Sequence, residues 1–314
     1  MLDSQRSRTE REIALAVFGV SVENFDSWVL DRLAALLDEQ PIRAGQVLWS
    51  RGKPVDQIFF MPRGRVQARR EDSAPWTFAG RWFLGGFEGY GKRTAERDLI
   101  ALEDLAVFRI RRQGWLDLLE DSFEMTYRTV VGAAAAVNAL DQRIPTTDPA
   151  PGLPMPPAHA QPMTILDRIA FLSGLPMASA VGVQALADVA DIADEVALAS
   201  GDTLFEEGIA PERFYVVIDG RIAATRRNPD VHRQYGRGEV VAGPAALSDD
   251  HARHWAARAG TSARLLAIPH EAWFDLMEEH FQLAEWMMAT LAIKRERIIS
   301  RLAADAGPQG VVLT

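Results

Sequence analysis

The chain has 314 residues, 48% of them apolar and 25% charged, and a formal net charge of −9. That length predicts two domains of roughly 130–150 residues, each able to bury a core of its own, and the composition excludes large-scale disorder. The absence of cysteine excludes disulfides, iron–sulfur clusters, thiolate zinc sites and cysteine nucleophiles, and the acidic balance argues against a nucleic-acid surface.

Residues 1–10 mix charges around no apolar core, so they are not a signal peptide. Residues 24–39 place Phe25, Trp28, Val29, Leu33, Leu36 and Leu37 at helical spacing. From Ile42 to Ile110 the texture changes to short apolar runs punctuated by glycine, among them Val47-Leu48-Trp49, Ile58-Phe59-Phe60-Met61 and Trp76-Thr77-Phe78. Six to eight short strands at turn-separated intervals predict a barrel or sandwich rather than a doubly wound sheet. Helical texture returns over residues 113–143, and its most apolar run, residues 129–140, contains Asn138 and is too short to span a bilayer. A cytoplasmic protein is expected.

Seven prolines follow between Pro145 and Pro162, where large apolar side chains are scarce. Proline removes backbone donors and restrains its neighbours, so this stretch reads as an extended linker. Beyond it the same plan repeats: a helix over 164–192, strands from Val196 to Ile268 and a helix from Glu271 to Ala304. The repeat is literal. Gly45, Gly52 and Gly64 recur as Gly201, Gly208 and Gly220, each displaced by 156 residues, and Trp115-Leu116-Asp117 recurs as Trp273-Phe274-Asp275, displaced by 158. A near-constant offset means a duplicated domain. The expected organisation is a first domain over 22–144, a linker over 145–162 and a second domain over 163–304.

A helix, a glycine-punctuated β-roll and a long helix, with Gly201-Asp202-Thr203-Leu204-Phe205-Glu206-Glu207-Gly208 and Phe214-Tyr215-Val216-Val217-Ile218-Asp219-Gly220-Arg221-Ile222, closely resemble the cyclic-nucleotide-binding domain. That module occurs in the catabolite activator protein and in protein kinase A regulatory subunits. The resemblance implies an α+β chain, mainly β, with two such rolls, each flanked by an N-terminal helix and a long C-terminal helix. It also implies a ligand cassette: Gly-Glu, an apolar stretch, then an arginine nine residues after the glutamate. The carboxylate takes the ribose hydroxyl, while backbone N–H groups and the guanidinium hold the cyclic phosphate.

On that pattern the second copy places Arg253 at the phosphate, with Gly243, Ala245 and Ala246 beside it, but Pro244 stands where the carboxylate belongs. In the first copy Ala95 takes the arginine position and Gly86-Phe87 replaces Gly-Glu; Glu88, Arg93 and Arg97 are the nearby candidates. Arg226, Arg227, Arg233 and Arg237 read as a solvated basic hairpin.

Neither a phosphate loop with its lysine, nor a nucleophile elbow, nor a zincin helix appears, so no catalytic residue and no metal site is assigned. The residues after Leu302 are too few for the winged helix-turn-helix of the catabolite-activator branch. Two functions follow. One is a non-enzymatic regulatory or adaptor protein with degenerate pockets, acting through a protein partner. The other is a sensor that takes a cyclic nucleotide, cAMP, cGMP or a relative, in the second copy and signals through its final helix. In that helix Leu283, Trp286, Met287, Leu291, Ile298 and Leu302 form an apolar stripe, which a homodimer would bury and which packing on copy one would bury equally well.

Overall fold

The computed structural model describes residues 27–86, 94–144, 146–147, 162–176, 178–209, 212–226, 231–241, 247 and 255–314. The first copy begins with helix α1 (Ser27–Leu36), which buries Val29 and Leu33. Eight strands follow: β1 (Asp38–Ile42), β2 (Val47–Trp49), β3 (Gln57–Met61), β4 (Arg65–Arg70), β5 (Ser73–Ala79), β6 (Trp82–Leu84), β7 (Asp98–Ala101) and β8 (Leu105–Arg111). Helices α2 (Arg112–Asp121) and α3 (Phe123–Asp141) and the short strand β9 (Thr146–Thr147) complete the copy. The break between α2 and α3 falls at Ser122, whose backbone is extended and whose N–H returns to the Leu119 carbonyl.

The second copy opens with two helices, α4 (Ile165–Ser173) and α5 (Val183–Ile192). The single helix expected over 164–192 is therefore divided. Gly174 caps α4, Pro176 cannot donate to a continuing helix, and Gly182 restarts the chain as the N-cap of α5. The start of α4 is a capping box in which Thr164 and Asp167 satisfy each other's backbone donors. Strands β10 (Asp194–Leu198), β11 (Thr203–Phe205), β12 (Arg213–Asp219), β13 (Ile222–Arg226), β14 (Val231–Tyr235), β15 (Val240–Val241), β16 (Ala256–Ala259) and β17 (Ala263–Pro269) build the second roll. Helices α6 (His270–Glu279) and α7 (Phe281–Asp305) and strand β18 (Val311–Leu313) end the chain.

The two rolls share one topology. A four-stranded sheet β1-β8-β3-β6 corresponds to β10-β17-β12-β15, and β2-β7-β4-β5-β18 corresponds to β11-β16-β13-β14-β9. Even the turn bonds repeat: the Gly45 N–H donates to the Ala101 carbonyl at 2.8 Å, and the Gly201 N–H donates to the Ala259 carbonyl at 2.8 Å. Gly45 and Gly201 sit at φ +81° and +93°, the left-handed conformation that the tight turn requires. The architecture is α+β, two β-rolls of matching strand order flanked by helices.

The chain divides into two compact units, one formed by Met1–Gly132 with Ala292–Thr314 and the other by Ala133–Leu291. The division runs through α3 and α7. In the first unit β18 adds in parallel to β5, Val311 opposite Trp76 and Leu313 opposite Phe78; in the second, β9 adds in parallel to β14. Val311 and Leu313 are buried and Val312 is exposed, the alternation of a strand with one face on a core. Most of the apolar stripe of α7 is covered within the chain: Leu283, Met287 and Leu291 are buried in the second unit and Ile298 in the first, while Trp286 and Leu302 are half-buried.

Because the first unit draws on both ends of the sequence, a nick in the segment 148–161 is expected to leave two fragments that elute together in gel filtration and separate only in denaturant. Fragments that part in native buffer would refute it. Among the described residues no helix is long and apolar enough to cross a membrane, and no cluster of three or more His, Cys, Asp or Glu side chains is arranged to hold a metal.

Candidate functional site

The ladders place residues of the two rolls in correspondence. Ala101 lies opposite Val66 and Ala259 opposite Ile222, so Arg97 and Trp255, each four residues earlier, are equivalent. Trp76 lies opposite Ala68 and Arg233 opposite Ala224, so these too are equivalent. Each roll thus holds an arginine against a tryptophan, with the two residue types exchanged between strands. The Arg97 guanidinium lies 3.9 Å from the Trp76 ring, and that of Arg233 lies 4.4 Å from the Trp255 ring. Each stack contributes about 0.5–2 kcal/mol, the larger figure applying when the pair is desolvated.

In the second unit Arg233 is 3% exposed and forms an ion pair with Asp141, the last residue of α3. Its Nη2 also donates to the main-chain carbonyls of Asp141 and, at 3.4 Å, Ile144. A helix C-terminus carries a partial negative charge, so the guanidinium meets both a carboxylate and the carbonyl end of α3. Arg226 adds a second guanidinium, 5.7 Å from the Trp255 ring. Burial, with the nearby Asp141 carboxylate, pushes the half-buried Tyr235 phenol well above its ordinary value, while Arg233 opposes the shift. Beneath these groups Phe205, Val217, Ile222, Ala224, Val241, Ala257 and Leu265 form the core.

In the first unit a cavity of about 50 Å³ opens beside the arginine–tryptophan stack. Strand residues Trp49, Phe78 and Leu99, with Arg97, form one side, and Arg295, Glu296 and Ile299 of α7 form the other. The volume suits a few water-sized groups, not a nucleotide. Arg97 donates to the Ala74 carbonyl at 3.1 Å, and Arg295 lies 5.5 Å from the Phe78 ring and 5.7 Å from the Trp82 ring. Burial pushes the Arg97 guanidinium below its ordinary value, the like charge of Arg70 adds to this, and the carboxylates of Glu296, Asp72 and Glu96 counter it.

Of the candidate ligand-binding residues, Arg97 alone lies among the described residues, and it lines this cavity. Arg253, Gly243, Ala245 and Ala246 in the second copy, and Glu88 and Arg93 in the first, lie outside them. Ala95, aligned with Arg253, is buried at the cavity wall. The basic hairpin is not uniformly solvated, and here the expectation is corrected: Arg233 faces the core. The signal was period two. Arg233 and Tyr235 occupy alternate positions of β14, so the face that takes the tyrosine inward takes the arginine with it.

Residues 195–280 match the family model of the cyclic nucleotide-binding domain. No curated protein matches the chain. Among solved structures, the chain is similar to the regulatory domain of Toxoplasma gondii PKA crystallised with cAMP, at 13% identity over 94% of this chain and 97% of that one, with a TM-score of 0.36. It is similar to the regulatory subunit of a cAMP-independent protein kinase A from Trypanosoma brucei, at 14% identity over 86% of this chain and 87% of that one, TM-score 0.34. It is also similar to the sensor domain of the transcriptional regulator DNR from Pseudomonas aeruginosa, at 20% identity over 42% of this chain and 88% of that one, TM-score 0.37. Likeness at that level bears on neither ligand nor partner. The matched stretch runs from β10 through α6 of the second roll, and the first roll repeats its strand order.

Proposed function

We propose that this protein works by binding, as a non-enzymatic cytoplasmic regulator or adaptor whose rolls present surfaces to a protein partner while their interiors are held closed by the chain's own side chains. One observation carries the reading. In the second roll the buried Arg233 already holds a carboxylate, that of Asp141, and stacks on Trp255. The cavity of the first roll, about 50 Å³ beside the Arg97–Trp76 stack, supports the same reading. Leu283, Met287, Leu291 and Ile298 of the α7 stripe are covered within the chain, which supports a monomer, checked by light scattering, and a partner surface elsewhere.

A second reading, a cyclic-nucleotide sensor, is favoured by Arg253, which stands at the phosphate position of the cassette within the matched residues 195–280. Gly243, Ala245 and Ala246 would offer backbone donors to the phosphate, and Pro244 would leave the ribose hydroxyl without its carboxylate. Calorimetry with cAMP and cGMP separates the readings. The adaptor predicts no submicromolar binding by the wild-type chain. The sensor predicts binding that Arg253→Ala weakens by about 2–4 kcal/mol, because a desolvated phosphate loses its charge partner, and that Pro244→Glu strengthens. Submicromolar wild-type binding would overturn the adaptor reading.

A further inference from the structure

The outer face of the first roll's five-stranded sheet differs from that of the second. Across β18-β5-β4-β7-β2 the ladders set Val312 opposite Thr77, Thr77 opposite Gln67, Gln67 opposite Ile100 and Ile100 opposite Val47, one straight row over five strands. The residues on either side of the row along each strand, among them Val66, Ala68, Leu99 and Ala101, are buried, so the row itself faces outward. Its two ends are open: Val47 is 46% exposed and Val312 is 56% exposed.

The second roll supplies the comparison. Thr203, Arg258, Ala223 and Gln234 hold the ladder positions of Val47, Ile100, Gln67 and Thr77. Thr203, Arg258 and Gln234 are exposed, the composition of a face made for water. At matching positions the first roll presents Val47 and Ile100 instead, and Val312 extends them onto β18. Aliphatic side chains aligned on an open face mark a surface for a partner. The polar members of the row are already engaged: Gln67 Nε2 donates to the Thr77 hydroxyl at 3.0 Å, and Gln67 Oε1 accepts from Arg69 Nε at 2.5 Å. A partner can therefore cover them without stranding either contact.

Geometry and charge select that partner. Four strand spacings separate Val312 from Val47, about 19 Å. The row crosses the strands, so an added strand, which runs along them, does not follow it, whereas a helix of about 13 residues does. Arg65 and Arg69 lie two positions to either side of Gln67 on β4, both exposed, about 7 Å from the row. There the flanks of a helix about 10 Å across come down. Asp98 lies opposite Arg69, and its Oδ1 accepts from the Arg51 N–H at 2.7 Å, so one carboxylate faces two guanidiniums and the face is positive on balance. A second copy of this face would set guanidinium against guanidinium, while carboxylates on the flanks of a helix meet them. We propose that the outer face of the first roll's sheet docks an acidic amphipathic helix of a protein partner, its aliphatic stripe laid along the row from Val312 to Val47 and its carboxylates on Arg65 and Arg69. The inference rests on the reading that the chain acts through a protein partner, and it adds which surface is used and what kind of segment it takes.

The probe is a labelled synthetic helix of about 14 residues, leucine on one face and glutamate on both flanks, titrated with the full chain and followed by fluorescence anisotropy. A second peptide carries lysine in place of every glutamate. The glutamate peptide is expected to bind at least on the order of tenfold tighter than the lysine peptide at low salt. Val47→Thr combined with Val312→Thr leaves the charge unchanged and keeps β-branched residues in both strands; Thr203 already occupies the first of these positions in the second roll. It is expected to weaken the glutamate peptide on the order of tenfold. Arg65→Glu combined with Arg69→Glu is expected to reverse the preference in favour of the lysine peptide, a change of sign that loss of folding does not produce. Equal affinity for the two peptides, or binding indifferent to the threonine variant, would overturn the inference. So would a dimer in light scattering that the threonine variant dissolves, because a second copy would then be the occupant. Submicromolar cAMP binding by the wild-type chain, measured without peptide, would instead overturn the adaptor reading, so the two failures are distinguishable.

Discussion

Arg233→Met is expected to lower the free energy of unfolding of the second unit by about 3–5 kcal/mol, the usual consequence of removing one partner of a buried ion pair. The substituted side chain fills much of the same volume, so the loss is one of charge rather than of packing. Asp141 keeps its carboxylate in a site where its side chain is 8% exposed, facing an apolar stem in place of a guanidinium. Trp255 also loses the stacked cation at 4.4 Å. Two carbonyls at the end of α3, those of Asp141 and Ile144, lose a donor, which should loosen the segment that carries β9 to the edge of β14. Urea unfolding followed by tryptophan fluorescence reads the effect. Asp141→Leu introduced on top of Arg233→Met should restore most of the stability, because an apolar pair in place of a buried ionic one is often neutral or better. A loss below about 1 kcal/mol in the single variant, the range of an exposed ion pair, would mean that the pair is solvated in solution.

Gly220→Ala is expected to destabilise by about 2–5 kcal/mol, from two costs that add. The residue has φ +82°, which costs an alanine about 1–2 kcal/mol. A Cβ there would stand 2.2 Å from the Ser262 carbonyl oxygen and 2.7 Å from the Ala263 Cα. Both are backbone atoms, so the neighbour that must yield is the start of β17, at an overpacking cost of about 1–3 kcal/mol. The hairpin that would have to shift is tied on each side, by the Gly260 N–H to the Arg221 carbonyl at 2.8 Å and by the Arg221 N–H to the Thr261 hydroxyl at 3.0 Å. Gly201→Ala supplies the control. Its φ is +93°, but nothing lies within 4 Å of its added Cβ, so only the conformational cost of about 1–2 kcal/mol remains. Denaturation midpoints of the two variants should differ in that order; equal losses would show that the approach of Gly220 to β17 relaxes without cost.

The turns were legible because their chemistry is local. A glycine at the same place in two copies states a backbone requirement that needs no partner, and the ladders confirm the register it implies. The alignment of Ala101 with Ala259 survived intact for the same reason: both lie opposite β-branched residues, Val66 and Ile222, at matching ladder positions. What local pattern does not encode is which surface a helix covers. The stripe Leu283, Met287, Leu291 and Ile298 says that one face of α7 is buried, and the same stripe fits a second copy of the chain or either roll. The stack of arginine on tryptophan was hidden for a different reason. Its members change places between copies, Trp76 with Arg97 and Arg233 with Trp255, so an offset search that compares residue types sees two mismatches where the structure has one conserved contact.

The strand pairing of Val311–Leu313 with β5 also dictates a timetable. On a ribosome the first roll emerges early, yet its fifth strand and the helical segment from Ala292 onward are synthesised after the whole of the second roll. Until then β5 is an open edge, with Trp76 and Phe78 awaiting the residues that will lie opposite them. An edge open in this way is one that the Val311–Leu313 segment of another copy could fill in place of the chain's own.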